Sequence, residues 1–202
     1  MARKTGLNPK TLQSIIMDAG VVYINYGSTD PLKPQRKLGA TRGGSSFKLT
    51  STTHDMAVDG ITGIARGARR FLGITAEMTC NMVEISKELL QMALPGSTYG
   101  APIPATDEEG VTITGENHYM IQRKLTATIP EIDYHDIAIV AEVSNTKAPV
   151  VCGLKNTISD GGLELSFQDG DESVLALTLT GTVDPFDPDT EGWFILYPEK
   201  SV

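Results

Sequence analysis

The chain has two cysteines, one tryptophan and three histidines in 202 residues, and only 6% of it is aromatic. Each scarcity narrows the function. Cys80 and Cys152 are too few for a disulfide framework and lack metal-ligand spacing, so a reduced compartment suits them. Cys80 falls on an apolar strand face and reads as a buried structural thiol. His54, His118 and His135 lie far apart, with no HxxH, HxE or His-Cys spacing. A zinc site needs four convergent ligands, so these read as surface or edge histidines; His135, between Asp133 and Asp136, is the one with adjacent carboxylates. No serine stands in a G-x-S-x-G elbow. No apolar run approaches the roughly 20 residues that span a bilayer. The start, MARKTGLNPK, is basic but is not followed by the apolar segment and small-residue cleavage site of a secretory signal. The expectation is a chain without catalytic residues, metal, cofactor or membrane segment.

What is abundant is turn and strand chemistry. There are 20 glycines and 11 prolines, and Thr, Val and Ile are frequent, which favours strands over helix bundles. The length suits one domain, residues 1–202, burying roughly 70% of its unfolded surface. Val21–Asn25 reads as a first strand. Residues 26–44 carry Pro31, Pro34 and four basic side chains without periodicity. Structureless loops longer than about 12 to 15 residues are uncommon in compact domains, so this stretch is expected to be an extended arm that folds onto a neighbouring subunit, or a plain mobile loop. Phe47, Leu49, Ser51 and Thr53 begin a second strand. Leu72 to Met82 alternates cleanly. Ser86 is a good helix N-cap for Lys87–Leu94, which Pro95-Gly96 ends. Residues 95–110 read as a Pro/Gly-rich surface loop. Val111–Ile113, Tyr119–Thr128 and Ile137–Val143 read as strands, and Val150–Leu154 as the approach to a last hairpin. In that hairpin Leu163, Leu165 and Phe167 face Leu175, Leu177 and Leu179 around an Asp-Gly turn. An acidic bend from Asp184 to Glu191 leads to an aromatic strand, Trp193–Tyr197. The sum is a mainly β chain: an antiparallel sandwich or incomplete barrel of about eight strands with one short flanking helix.

Charge is unevenly spread. Residues 1–70 hold 11 Lys and Arg against 4 Asp and Glu, and residues 71–202 hold 6 against 21. Either this segregation disappears on folding, as a solvated surface, or the protomer has a basic and an acidic face. Two such faces meet head to tail, a heterologous contact that makes rings if it closes and filaments if it does not. Two other constellations stand out in the sequence. Asp184, Asp187, Asp189 and Glu191 offer oxygen ligands, but they miss the calcium-loop spacing, and Pro185 and Pro188 stiffen the backbone, so an acidic turn is the simpler reading. Arg66, Arg69 and Arg70, among Gly60, Gly63 and Gly67, match no phosphate-binding motif. A duplex-binding face would want interleaved aromatics, and the pI of 4.9 argues against a general DNA binder.

Three segments carry a resemblance. The Gly161–Ser166 stretch with its following Asp-Pro and Trp193, the stretch Leu38–Phe47 (LGATRGGSSF), and the stretch Val58–Arg70 (VDGITGIARGARR) resemble, in the same order, the major tail protein of long, non-contractile phage tails. Residues 95–120 depart from that pattern. The resemblance implies a β-sandwich with one helix that assembles as hexameric rings, stacked around a tape-measure protein and capped by tail terminator and tail-tip proteins. The rings then form the conduit for double-stranded DNA, which passes without tight binding, in a virion assembled in the host cytoplasm. The basic side chains of the 26–44 arm, Lys33, Arg36, Lys37 and Arg42, together with Arg66, Arg69 and Arg70, for which the resemblance implies intersubunit salt bridging, are the expected subunit interface. A lumen rich in Asp and Glu would repel phosphates, which follow one another at roughly 1.7 Å of duplex axis. Tail-tip or baseplate proteins and a host-glycan-binding sandwich are the alternatives, the latter disfavoured by the shortage of aromatic stacking residues.

Overall fold

A computed structural model describes residues 15–16, 18–57, 59–60, 62–64, 66–123, 128–144, 147–165, 167, 169–187 and 190–198. The helical turn expected within residues 1–18 falls largely outside them. Among the described residues ten strands and one α-helix follow in order: β1 Val21–Ile24, β2 Arg36–Lys37, β3 Thr41–Asp55, β4 Arg69–Met82, α1 Lys87–Ala93, β5 Ser97–Thr106, β6 Thr112–Arg123, β7 His135–Glu142, β8 Pro149–Ser159, β9 Leu175–Thr180 and β10 Trp193–Leu196. The fold is mainly β and sandwich-like, and it does not close into a barrel.

All pairings are antiparallel, in the order β2-β1-β7-β8-β9-β4-β3, with β10 added on β8. β8 belongs to both layers. Its first part pairs with β7 and β10, and its last residues, Ile158 and Ser159, pair with β9. The change of partner coincides with a break in the β7–β8 register and with Asn156, whose φ of 47° bends the strand. Strands that switch sheets at such bends form the corners of packed sandwiches. One layer turns Val22, Ile24, Ile137 and Leu154 inward, and the other turns Ala76, Met78, Cys80, Met82, Leu175, Leu177 and Leu179 against them. Alternation on β4 and β9 makes this possible, because every second residue shares a face. Each large apolar side chain buried this way contributes about 1.5–3 kcal/mol. Leu89, Met92 and Ala93 of α1 complete the core, and Ser86 Oγ caps the helix by accepting from Leu89 N at 3.2 Å.

Several expectations are corrected. Residues 26–44 are not one extended arm. Arg36 and Lys37 pair with Ile24 and Tyr23, Leu38 N donates to Val22 O at 2.9 Å, and Leu38 packs on the core. A two-residue strand has no periodicity to read, and β3 already begins at Thr41. Residues 95–110 are not a loop either: β5 occupies most of them and pairs with β6, which merges the two strands expected at 111–128. Pro102 and Pro104 disguise β5, yet a two-stranded ribbon is all edge, where proline is tolerated. The segment 150–154 belongs to an eleven-residue strand. The last hairpin is likewise different: β9 pairs with β4 and β8, and among the described residues of 163–167 the one bridge is Leu165 to Leu175.

Candidate assembly surfaces

Two hairpins leave the sandwich. The first is the outer half of β3–β4. Its register runs from Ser45↔Cys80 to Asp55↔Arg69, but burial stops near Ala76. Beyond a register shift at Thr52/Thr53, Phe71 and Leu72 are 57% and 64% exposed. A fork of hydrogen bonds closes the arm, Arg69 Nε donating to Asp55 Oδ1 at 2.7 Å and Arg69 Nη2 to Oδ2 at 3.1 Å. That pairing holds the Asp55 carboxyl below its usual range and raises the Arg69 guanidinium. Arg66 and Arg70 stand beside it, exposed and with no ion pair among the described residues.

The second hairpin is β5–β6. From Thr98 to Arg123, Ala105 is the only buried residue, and none of them joins the core cluster. Ile103, Val111, Ile113, Tyr119 and Met120 are exposed. A two-stranded ribbon is marginal alone in water, and here the root supplies the support. Tyr99 hydroxyl donates to Lys87 O, Gln91 Nε2 donates to Ser97 O at 3.3 Å, and Gly96 N donates to Asp133 Oδ2 at 2.6 Å. Lys87 Nζ lies 4.7 Å and 4.6 Å from the Tyr99 and Tyr119 ring centres, a cation–π clamp worth about 0.5–1 kcal/mol at an exposed site. At the far end Asp107-Glu108-Glu109-Gly110 makes the turn. Gly110 N donates to Asp107 O, and Asp107 Oδ1 accepts from Glu109 N and Val111 N. Glu108 and Glu109 are left exposed and unpaired among the described residues.

The seven basic residues expected at an interface do not form one patch. Lys33, Arg36 and Lys37 lie around β2, and Arg36 pairs with Glu88 of α1. Arg42, at the start of β3, pairs with Asp171 and Glu172, which raises its pKa and lowers that of Asp171. Arg66, Arg69 and Arg70 are together at the β3–β4 end, about 44 Å from Arg42 at roughly 3.4 Å per residue of strand. Charge segregation along the sequence is thus partly cancelled within the chain: Arg36, Arg42 and Lys48 each meet an acid from beyond residue 70. Lys33, Lys37, Arg66 and Arg70 have no ion pair among the described residues. The acidic β5–β6 turn was missed at the sequence level, although Asp-Glu-Glu-Gly carries the Asp-first, Gly-last signature of a type I turn.

The other constellations resolve into structure. Asp184 Oδ1 accepts from Phe186 N, and Asp187 Oδ2 accepts from the Thr190 hydroxyl, so these acids shape a bend; Asp189 lies outside the described residues. Among the described residues no three His, Cys, Asp or Glu side chains converge as metal ligands, and no helix is long and apolar enough to cross a membrane. Burial lowers the His135 pKa, against an opposing pull from Asp133. Burial also pushes the Cys80 thiol up to about 11. Iodoacetamide at pH 8 is therefore expected to modify half-buried Cys152 slowly and Cys80 not at all in folded protein, because the thiolate is the nucleophile. Labelling of Cys80 at the rate of an unfolded peptide, read by mass spectrometry, would mean that the two layers open. Comparison with protein-family models and with curated proteins finds no match for this chain.

Proposed function

We propose that the chain is a structural virion protein, resembling the major tail protein of siphophages, that polymerises into stacked hexameric rings forming a tail tube. The observation that carries this reading is the outer edge of β3. Among the described residues β3 is the last strand of the sheet, pairs only with β4, and keeps an unbroken register from Ser45 to Thr52. A long flat edge presents a row of unpaired backbone groups that templates another strand. Chains usually blunt such an edge with a proline, a short strand or a charged side chain; β3 has no proline between Ser45 and Thr52, and its one charge there, Lys48, is drawn to Glu77 of β4 at 3.1 Å. Added copies would continue the sheet from protomer to protomer, as β-augmentation does, and a ring would close it as a barrel removes its edges.

In this reading the partners are further copies of the chain, the tape-measure protein within, and terminator and tail-tip proteins at the ends. Double-stranded DNA passes through without being held. Assembled protein is therefore expected to retain no short duplex DNA in a filter-binding titration at 50 or 150 mM salt. A conduit that grips phosphates would show affinity rising steeply as salt falls, with one counterion term for each neutralised phosphate. Tight, salt-sensitive retention would overturn the conduit and favour a nucleic-acid-binding use of the basic residues.

A further inference from the structure

We propose that the two projecting hairpins are complementary halves of one head-to-tail contact, in which the acidic β5–β6 turn of one copy seats on the basic β3–β4 end of the next. This rests on the self-assembly reading above and names the surfaces that would carry it.

The two hairpins are rooted at the two ends of β4. β4 runs from Arg69 at the basic end to Met82, a span of about 43 Å at roughly 3.3 Å per residue. Four residues after Met82 comes Ser86, the cap of α1, and α1 holds the root of β5–β6 through Lys87 and Gln91. The two arms therefore spring from opposite ends of one strand. Among the described residues no hydrogen bond or ion pair joins them. The contact that one chain does not make with itself is available between two.

Charge and apolar surface agree at both ends. Glu108, Glu109 and Glu116 crowd the β5–β6 end with no ion pair among the described residues, and Asp107 is spent on its own turn. Arg66 and Arg70 stand unpaired at the β3–β4 end, where Asp59 is the opposing carboxylate and Asp55 is neutralised by Arg69. Exposed Ile103, Val111 and Ile113 flank the acids, while exposed Ile64, Phe71 and Leu72 flank the arginines. Apolar residues supply area that a second copy can bury, and the opposite charges fix which end meets which and speed the encounter. A protomer with two different, matching ends propagates, which is the geometry of rings and filaments.

Two double variants test the contact: Glu108→Lys with Glu109→Lys, and Arg66→Glu with Arg70→Glu. All four residues are exposed, so circular dichroism spectra and melting temperatures are expected to match the wild type. Each variant alone should assemble about tenfold or more slowly than wild type by light scattering, since steering by opposite charge raises association rates by roughly 10 to 1,000-fold. An equimolar mixture should recover, because each lysine turn then finds a glutamate arm and each native acidic turn finds a native arginine arm. Wild-type rates in either single variant, or a mixture as slow as its components, would overturn the contact and leave self-assembly standing. Wild-type protein that stays monomeric at every concentration would overturn both and leave the hairpins to a different protein.

Discussion

Excision of residues 98–122, with Ser97 joined to Arg123 through an Asn-Gly turn, is expected to leave a folded monomer that forms no tubes. The fold should survive because no residue of this hairpin enters the core cluster, and because Ser97 and Arg123 already face each other across the ribbon. Asn-Gly supplies the two positive φ angles that a two-residue turn of this kind requires. The main intramolecular losses are the Lys87 clamp on Tyr99 and Tyr119, about 0.5–1 kcal/mol, and the Tyr99 hydroxyl's hydrogen bond to Lys87 O, about 0.5–1.5 kcal/mol. The assembly loss should be complete, because exposed Ile103, Val111, Ile113, Tyr119 and Met120 go with it, together with the acidic turn. Sedimentation velocity and circular dichroism check the two halves of the expectation. Tubes from the excised chain would remove the hairpin from the assembly account, and an unfolded product would make it part of the fold.

Gly181→Ala is expected to cost far more stability than an ordinary surface substitution. A Cβ at Gly181 would lie 2.4 Å from Gly192 O and 3.2 Å from Leu154 Cδ2. Gly192 is tight from the other side, since a Cβ there would meet Thr182 O at 2.8 Å. These glycines let the chain leaving β9 touch the chain approaching β10, where the two layers meet. Gly181 N donates to Ala76 O at 3.0 Å, Lys155 N to Gly192 O at 2.9 Å, and Thr182 N to Lys155 O at 3.2 Å. A backbone carbonyl cannot rotate aside as a side chain can, so the methyl must push the start of β10 away from β8. Overpacking of this kind costs about 1–3 kcal/mol, and the rigid neighbour places Gly181→Ala near the top of that range. Urea unfolding measures it. A change within about 0.5 kcal/mol, the scatter of ordinary surface substitutions, would mean that the crossing is slack.

The parts of the fold legible in the sequence are those where one face is buried. Leu72–Met82 and Leu175–Leu179 alternate because Met78, Cys80, Leu177 and Leu179 share a core, and Ser86 announces its helix because an N-cap is a local interaction. What escaped reading lacks such asymmetry. β5 and β6 have no buried face from which periodicity arises, and two prolines hide the first of them. β2 is two residues long. The hairpin expected at 163–179 is reduced, among the described residues, to the Leu165–Leu175 bridge because Leu175–Leu179 pairs along its length with β4, a choice of distant strand that local alternation does not encode. The candidate surfaces follow the same rule. Arg66, Arg69 and Arg70 were found as a run, and they do cluster, because hairpin neighbours in sequence stay neighbours in space. Arg36 and Arg42 were grouped with them by charge alone, and each is engaged by an acid brought from far along the chain.

Negative-stain electron microscopy of purified protein across a concentration series is the most direct test of the central claim that this chain is a tube-forming subunit. The account predicts 21.7 kDa monomers at low concentration and, above a threshold, uniform stacked rings with a stain-filled lumen. Monodisperse monomers at every concentration, or irregular aggregates without a lumen, would contradict it.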